Sequence, residues 1–212
     1  MSPDPDPIVL ALAALTSDQL TFLQSLPKAE LHAHLNGSIP LPSLQALARS
    51  HPIAVSKEGL PPEVSKGIEI LTKGFHLDSI YDFFGLFPAI YALTSNEEAL
   101  AGVTRDVLNH FLAPDSKTGY IQCQYMELRT TPRKTPSMTR RQYLEAVLGE
   151  VEKWSREQTA LIVSLDRRMS LEDVDEVVNL AIALKDDGRR VVGIDLCGDP
   201  LVCLGFCCQY FC

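Results

Sequence analysis

The sequence predicts an α/β fold built on parallel strands, and three observations carry that expectation. Four segments, at 29–35, 119–130, 159–167 and 190–199, have the alternating or apolar-rich pattern of strands. Helical patterns lie between each strand and the next. Three of the four strands are rich in apolar residues, as expected where both faces are covered and right-handed crossovers join the strands.

Taken in order, residues 1–7 alternate Pro with Asp or Ser and predict disorder. "IVLALAAL" and "SDQLTFLQSL" read as short helical turns, the second capped near Ser17 or Asp18 and both closed by Pro27. In "AELHAHL" the alternation places Glu30, His32, His34 and Asn36 on one side and Ala29, Leu31, Ala33 and Leu35 on the other. "LPSLQALARS" predicts a helix with Pro42 in its first turn, and 52–67 reads as a loop carrying Pro61 and Pro62. Helices are expected at 78–93 and at 96–112, the latter capped near Ser95. After the strand at 119–130 come a helix at 139–158, a strand at 159–167 and a helix at 170–185 that opens with a Ser170/Asp173 capping pattern. The strand at 190–199 follows.

The 212 residues suit one domain or two, and 46% apolar with 22% charged residues is ordinary for a globular protein. A formal charge of −8 without a Lys/Arg cluster argues against nucleic acid or an anionic membrane as the main partner and favours a small molecule. No segment approaches the roughly 20 apolar residues of a membrane span, and "MSPDPDP" lacks the basic start of a secretory signal, so a cytoplasmic protein is expected. Of six cysteines, Cys203, Cys207, Cys208 and Cys212 crowd into the end of the chain, which is not a disulfide framework.

The residues that stand out chemically lie in "LPKAELHAHLNGS" at 26–38. An i, i+2 pair on a strand presents two imidazoles on one face, as a metal requires, but His-x-His alone is a weak signal that hydrogen-bonded core or surface histidines explain more simply. The wider stretch "LPKAELHAHLNGSI" resembles the first strand of the adenosine deaminase superfamily of zinc-dependent (βα)8 barrels. Asn36 stands where ordinary adenosine deaminases carry Asp, and "HAHLNGS" is similar to the adenosine deaminase-like branch that acts on N6-methyl-AMP. "MELRTTPR" at 126–133, "LDRR" at 165–168 and "GIDLCGDP" at 193–200 resemble that branch's next three strand ends in the same order.

The resemblance implies the N-terminal half, about four βα units, of a TIM-type (βα)8 metallo-dependent hydrolase barrel. Its domain would span 26–200, between an N-terminal extension at 1–25 and a cysteine-rich tail at 201–212. It implies one Zn2+ held in part by His32 and His34, and a purine nucleotide contacted by His34, Asn36, Tyr91, Thr130, Thr131, Pro132, Arg133, Asp166 and Gly198. Charge supports the Asn36 assignment, because Asp would repel a 5′-phosphate whereas Asn is neutral and adds two donors. Arg133 offers a planar fork for phosphate oxygens, with Thr130 and Thr131 as further donors. Blander readings stay open: "TTPR" as a turn with a solvated Arg, Asp166 as the cap of the next helix, Gly198 as an ordinary turn. Tyr91 stands where the branch often carries His, and His51, His76 and His110 read as surface or loop residues.

The resemblance places a third histidine ligand, a glutamate acid, a catalytic histidine and paired aspartates on later strands, and none of those motifs occurs in the 212 residues. The chain is therefore expected to be truncated, to hold zinc weakly and to be inactive. Four parallel strands also leave two edges and apolar inward residues to water, which predicts self-association. A catalytically dead fragment that binds another chain through those edges is the alternative of a different class, and another His-x-His barrel amidohydrolase is a third. The tail admits a Cys metal site, a palmitoylated anchor, or non-family sequence from a retained intron or frameshift.

Overall fold

A computed structural model describes residues 10, 11, 13–51, 59–74, 80–116 and 118–198. The expected disorder at 1–7, the cysteine-rich tail and His76 lie outside the described residues. In chain order the elements are α1 (Ser17–Ser25), β1 (Ala29–His34), a 3-10 turn (Leu35–Gly37), α2 (Leu41–Ser50), α3 (Pro62–Lys73), α4 (Ile80–Phe84) and α5 (Phe87–Leu93). There follow α6 (Glu97–Leu112), β2 (Tyr125–Thr130), α7 (Arg140–Val151), β3 (Thr159–Asp166), α8 (Leu171–Asp186) and β4 (Val191–Cys197).

The strands form one four-stranded parallel sheet in the order β1-β2-β3-β4, as the sequence predicts. Helices α6, α7 and α8 supply the apolar stripes that cover it, with Val107, Leu144, Val147, Leu148, Val177 and Leu184 fully buried. They pack with Met126 and Leu128 of β2 and Leu161 and Val163 of β3 in one core. Each such side chain contributes about 1.5–3 kcal/mol when removed from water.

The opposite face runs in register through Arg129, Ile162 and Gly193, with Ser164 beside Asp195 and Asp166 beside Cys197. This face is mainly polar, so the expected apolar inward residues are few. Within the sheet, the exposed large apolar side chains lie instead on the two edge strands, at Leu31, Val192 and Ile194.

Local chemistry explains where the elements differ from expectation. The cap of α1 is Thr16, whose hydroxyl accepts from the Gln19 amide at 3.2 Å while Gln19 accepts from the Thr16 amide at 2.9 Å. The second half of the expected 52–67 loop is helix α3: Pro61 is its cap and Pro62 sits in its first turn, where a missing N–H costs nothing. Val64, Gly67, Ile68 and Leu71 face inward at helical spacing, and a Cβ on Gly67 would stand 2.6 Å from that of Ala89 on α5. The 78–93 helix splits in two around Gly85 because Pro88 cannot continue the hydrogen-bond ladder.

Strand β2 begins at Tyr125 rather than 119, since Asp115 folds the preceding residues into a turn by accepting from the Thr118 amide at 2.8 Å. Helix α7 ends at Val151, not 158. There the Arg190 Nη1 donates to the carbonyls of Val151, Trp154 and Ser155 at 3.1, 2.8 and 3.0 Å, drawing the chain into a turn before β3.

Candidate functional site

Parallel strands place all their C-terminal ends on one side, which is where such sheets build sites. Here those ends are His34, Thr130, Asp166 and Cys197.

Strand β1 reaches that side through a bulge. Glu30 pairs with Met126 and Ala33 with Leu128, so three steps on β1 match two on β2. The two backbone groups at the bulge are satisfied by side chains. The His32 amide donates to Glu30 Oε1 at 2.8 Å, and the Leu31 carbonyl accepts from Arg129 Nη2 at 2.7 Å and Nε at 3.2 Å. Strict alternation from Glu30 to Asn36 is thereby broken, because Glu30 pairs with the buried Met126 while His34 pairs with Arg129.

Beyond the bulge His32 and His34 stand together, with ring centroids 5.2 Å apart and planes inclined by 57°. A tetrahedral zinc ion, about 2.0–2.1 Å from one nitrogen of each ring, separates two such centroids by roughly 5 Å. The pair thus fits two places in one coordination sphere. Burial pushes the His34 imidazole below its usual range; Asp195 opposes that shift, and His32 and Arg129 add to it. The neutral ring that results is the ligand form. Among the described residues no group of three or more His, Cys, Asp or Glu converges to hold a metal.

Asn36 follows in the 3-10 turn and enters a polar cluster. Its Oδ1 accepts from the Tyr143 hydroxyl at 3.3 Å, and its Nδ2 lies 3.5 Å from the Thr94 hydroxyl. Thr130 is buried with its hydroxyl 2.7 Å from that of Tyr143, and Pro132 is buried as well, so both form the floor of this region. Thr131 is half-buried, its hydroxyl 3.4 Å from Cys197 Sγ.

Arg133 is not the solvated arginine of a surface turn. It donates to the Tyr91 carbonyl at 3.1 Å and the Thr94 hydroxyl at 2.8 Å, and its guanidinium lies 4.3 Å from the centre of the Tyr91 ring. A cation thus caps the C-terminal end of α5. Tyr91 is held between Arg133 and Phe87, and burial raises its phenol above the usual range.

Across the site, Asp166 accepts from the Arg168 amide and Nε at 2.8 Å and from its Nη2 at 2.6 Å. Those hydrogen bonds hold its carboxyl below the usual carboxylate range, against the opposing effect of burial. The cap of α8 is Ser170, which accepts from the Asp173 amide at 3.1 Å, so Asp166 is not the cap. Gly198 has φ of 101°, and a Cβ there would meet Asp166 Oδ1 at 3.1 Å and the Arg167 amide at 3.3 Å. Glycine lets β4 close against the end of β3.

Of the other histidines, His110 is exposed, but His51 is buried with its Nε2 3.0 Å from Asn96 Nδ2. Sequence reasoning passed over Arg129, Asp195, Thr94, Tyr143 and Arg168. Arg129, Arg168 and Asp195, inside "MELRTTPR", "LDRR" and "GIDLCGDP", lay within stretches already singled out, whereas Thr94 and Tyr143 did not.

The model of the adenosine deaminase family matches residues 27–206. The chain belongs to the adenosine deaminase family. An Arabidopsis thaliana N6-mAMP deaminase is 34% identical over 215 residues, covering 86% of this chain and 55% of that protein. A crystal structure of an Arabidopsis N6-mAMP deaminase matches with a TM-score of 0.69 and 34% identity, over 88% of this chain and 54% of that one. An Arabidopsis relative solved in complex with IMP matches with a TM-score of 0.67 and 34% identity, over 86% of this chain and 53% of its own. The chain spans about half the length of these adenosine deaminase family relatives. Its four parallel strands and the helices that join them correspond to part of their TIM barrel.

Proposed function

We propose that this chain contributes to a zinc-dependent purine aminohydrolase site, one that removes the N6 amine or methylamine from N6-methyl-AMP or a related adenine nucleotide or nucleoside. The observation that carries the reading is the His32 and His34 pair, spaced for one ion, followed at once by the neutral Asn36. Bound there, Zn2+ would supply an activated water for displacement of the amine. His32 and His34 would hold it, and the low proton affinity of His34 keeps that ring available.

Asn36 leaves the nucleotide end free of negative charge, and the Tyr143 hydroxyl fixes which way its amide points. Tyr91, Thr131 and Arg133 line the phosphate side over a floor of Thr130 and Pro132, while Asp166 and Gly198 close the purine side. The relative solved with IMP is consistent with a purine monophosphate as ligand. No helix among the described residues is long and apolar enough to cross a membrane; with the acidic charge of −8, a cytoplasmic setting and no nucleic-acid partner fit best.

Two imidazoles are fewer than the three protein ligands of a catalytic zinc. We therefore propose that the 212-residue chain alone holds zinc weakly and is inactive. An assay of methylamine release from N6-methyl-AMP, with zinc counted on the same sample, tests this. No turnover with substoichiometric zinc is expected; turnover with one zinc per chain would sink the ligand-count argument.

Leu31, Val192 and Ile194, 50%, 48% and 41% exposed on the edge strands, favour a second reading in which the chain associates through those edges. Sedimentation would show concentration-dependent association. A monomer at every concentration removes that reading.

A further inference from the structure

We propose that Arg129 is the positioning residue for the histidine pair, stapling the β1 bulge that turns both imidazoles onto the site face. The inference rests on the metal reading of His32 and His34 for its consequence, but its geometry stands by itself.

The register shows what the bulge does. Continued without it from Glu30 and Met126, the pairing would set His32 against Leu128 and His34 against Thr130, both on the helix-packed face. The extra residue sets His34 against Arg129 instead and leaves Ala33 to pack inward. A bulge persists only when its displaced backbone groups find partners. Glu30 serves the His32 amide from within β1, whereas the Leu31 carbonyl depends on Arg129.

Arg129 reaches both ways across the sheet. Its Nε and Nη2 converge on Leu31 of β1, while Nη1 pairs with Asp195 of β4, two strands further on. The side chains of Arg129 and Asp195 are 17% and 20% exposed, so water competes weakly for either end. This two-ended grip needs a rigid planar fork, and a lysine with one point of charge cannot supply it. Asp195 also acts electrostatically on His34, which places the staple and the ring in one neighbourhood.

The test uses the whole chain. Imidazole NMR would record the nuclear Overhauser contact between the two rings without metal, then their response to Zn2+, with circular dichroism as the check on folding. In the unaltered chain the rings should show the contact and titrate together with one Kd. Arg129→Met should lose the contact, raise that Kd by about tenfold or more and uncouple the rings, as loss of a supporting partner does at metal sites. Arg129→Lys should not rescue it. Asp195→Asn, which keeps the Leu31 contact but loosens its anchor, should raise Kd by a smaller factor.

Unchanged ring contact and Kd in folded Arg129→Met would overturn the proposal. If that variant fails to fold, Asp195→Asn decides, and an unchanged contact and Kd there overturn it equally. A ring contact that depends on Arg129 in a chain whose rings ignore zinc would uphold the staple and overturn the metal reading.

Discussion

Tyr143 on α7 donates its hydroxyl to Asn36, a residue 107 positions earlier, at 3.3 Å, and the Thr130 hydroxyl stands 2.7 Å from the same oxygen. With Tyr143 donating to Asn36, Thr130 donates to Tyr143, so the three form a directed chain that ends on the amide oxygen. The amide nitrogen of Asn36 is then the group left facing Thr94.

Tyr143→Phe removes the middle of that chain and leaves the hydroxyl of the buried Thr130 without its partner. A loss of about 1–3 kcal/mol is expected, read from urea unfolding. The double variant with Thr130→Val should recover part of it. Equal stability of wild type and Tyr143→Phe would show that water replaces the phenol.

Asn36→Asp tests the charge argument directly. Binding of AMP to the chain should weaken by at least about tenfold, and binding of adenosine much less, because only the phosphate meets the new charge. Ligand NMR titrations of both compounds give the ratio. Equal losses for the two would place the phosphate elsewhere.

Gly198→Ala should destabilise the fold by about 1–3 kcal/mol in thermal or urea unfolding, because φ of 101° disfavours any side chain. The new methyl would also press on Asp166 at 3.1 Å. An unchanged midpoint would mean the β4 end relaxes away from β3 without penalty.

The Asp166 carboxyl is held below its unfolded value chiefly by its hydrogen bonds to Arg168. Its contribution to stability is therefore present at neutral pH, above the unfolded value near 4, and is lost as pH falls through the lower folded value. Arg168 is 63% exposed, so the contribution is discounted to about 1 kcal/mol or less and should shrink in high salt. Arg168→Met should lower stability at pH 7 and converge with wild type at pH 2. A constant difference at both values would assign the effect to packing.

The sheet and its helices were legible because they follow from periodicity: "YMELRT" and "TALIVSLD" alternate or run apolar, and Ser170 with Asp173 marks a helix start. The bulge was not legible. An extra residue leaves no mark in "AELHAHL", whose alternation reads as one uninterrupted strand, and only pairing with β2 reveals it. Tandem prolines suit a loop or a first helical turn, so Pro61 and Pro62 did not decide between them; the buried stripe of α3 did. His32, His34 and Asn36 were recognisable because they are close in sequence. Thr94, Tyr143 and Asp195 join them only by folding, from segments whose own patterns read as core helix and strand.

Arg190 gives the sheet an uneven mechanical character. One nitrogen at the start of β4 gathers carbonyls from the end of α7, the turn beyond it and Thr159, the first residue of β3. Opening β4 therefore breaks the exit of α7 and the entry of β3 in the same event, and these three elements come apart as one cooperative block. Strand β1 is tied otherwise: the Lys28 carbonyl at its entry accepts from the Gln124 amide at 2.8 Å, and Asn36 just beyond its end accepts from Tyr143 of α7. Its ladder to β2, the grip of Arg129 and these single bonds are separate attachments, so the strand that carries the two imidazoles is held by many contacts where the block turns on one. In this chain the far edge is locked through a single arginine, and the edge that carries the two imidazoles is fastened at several separate points.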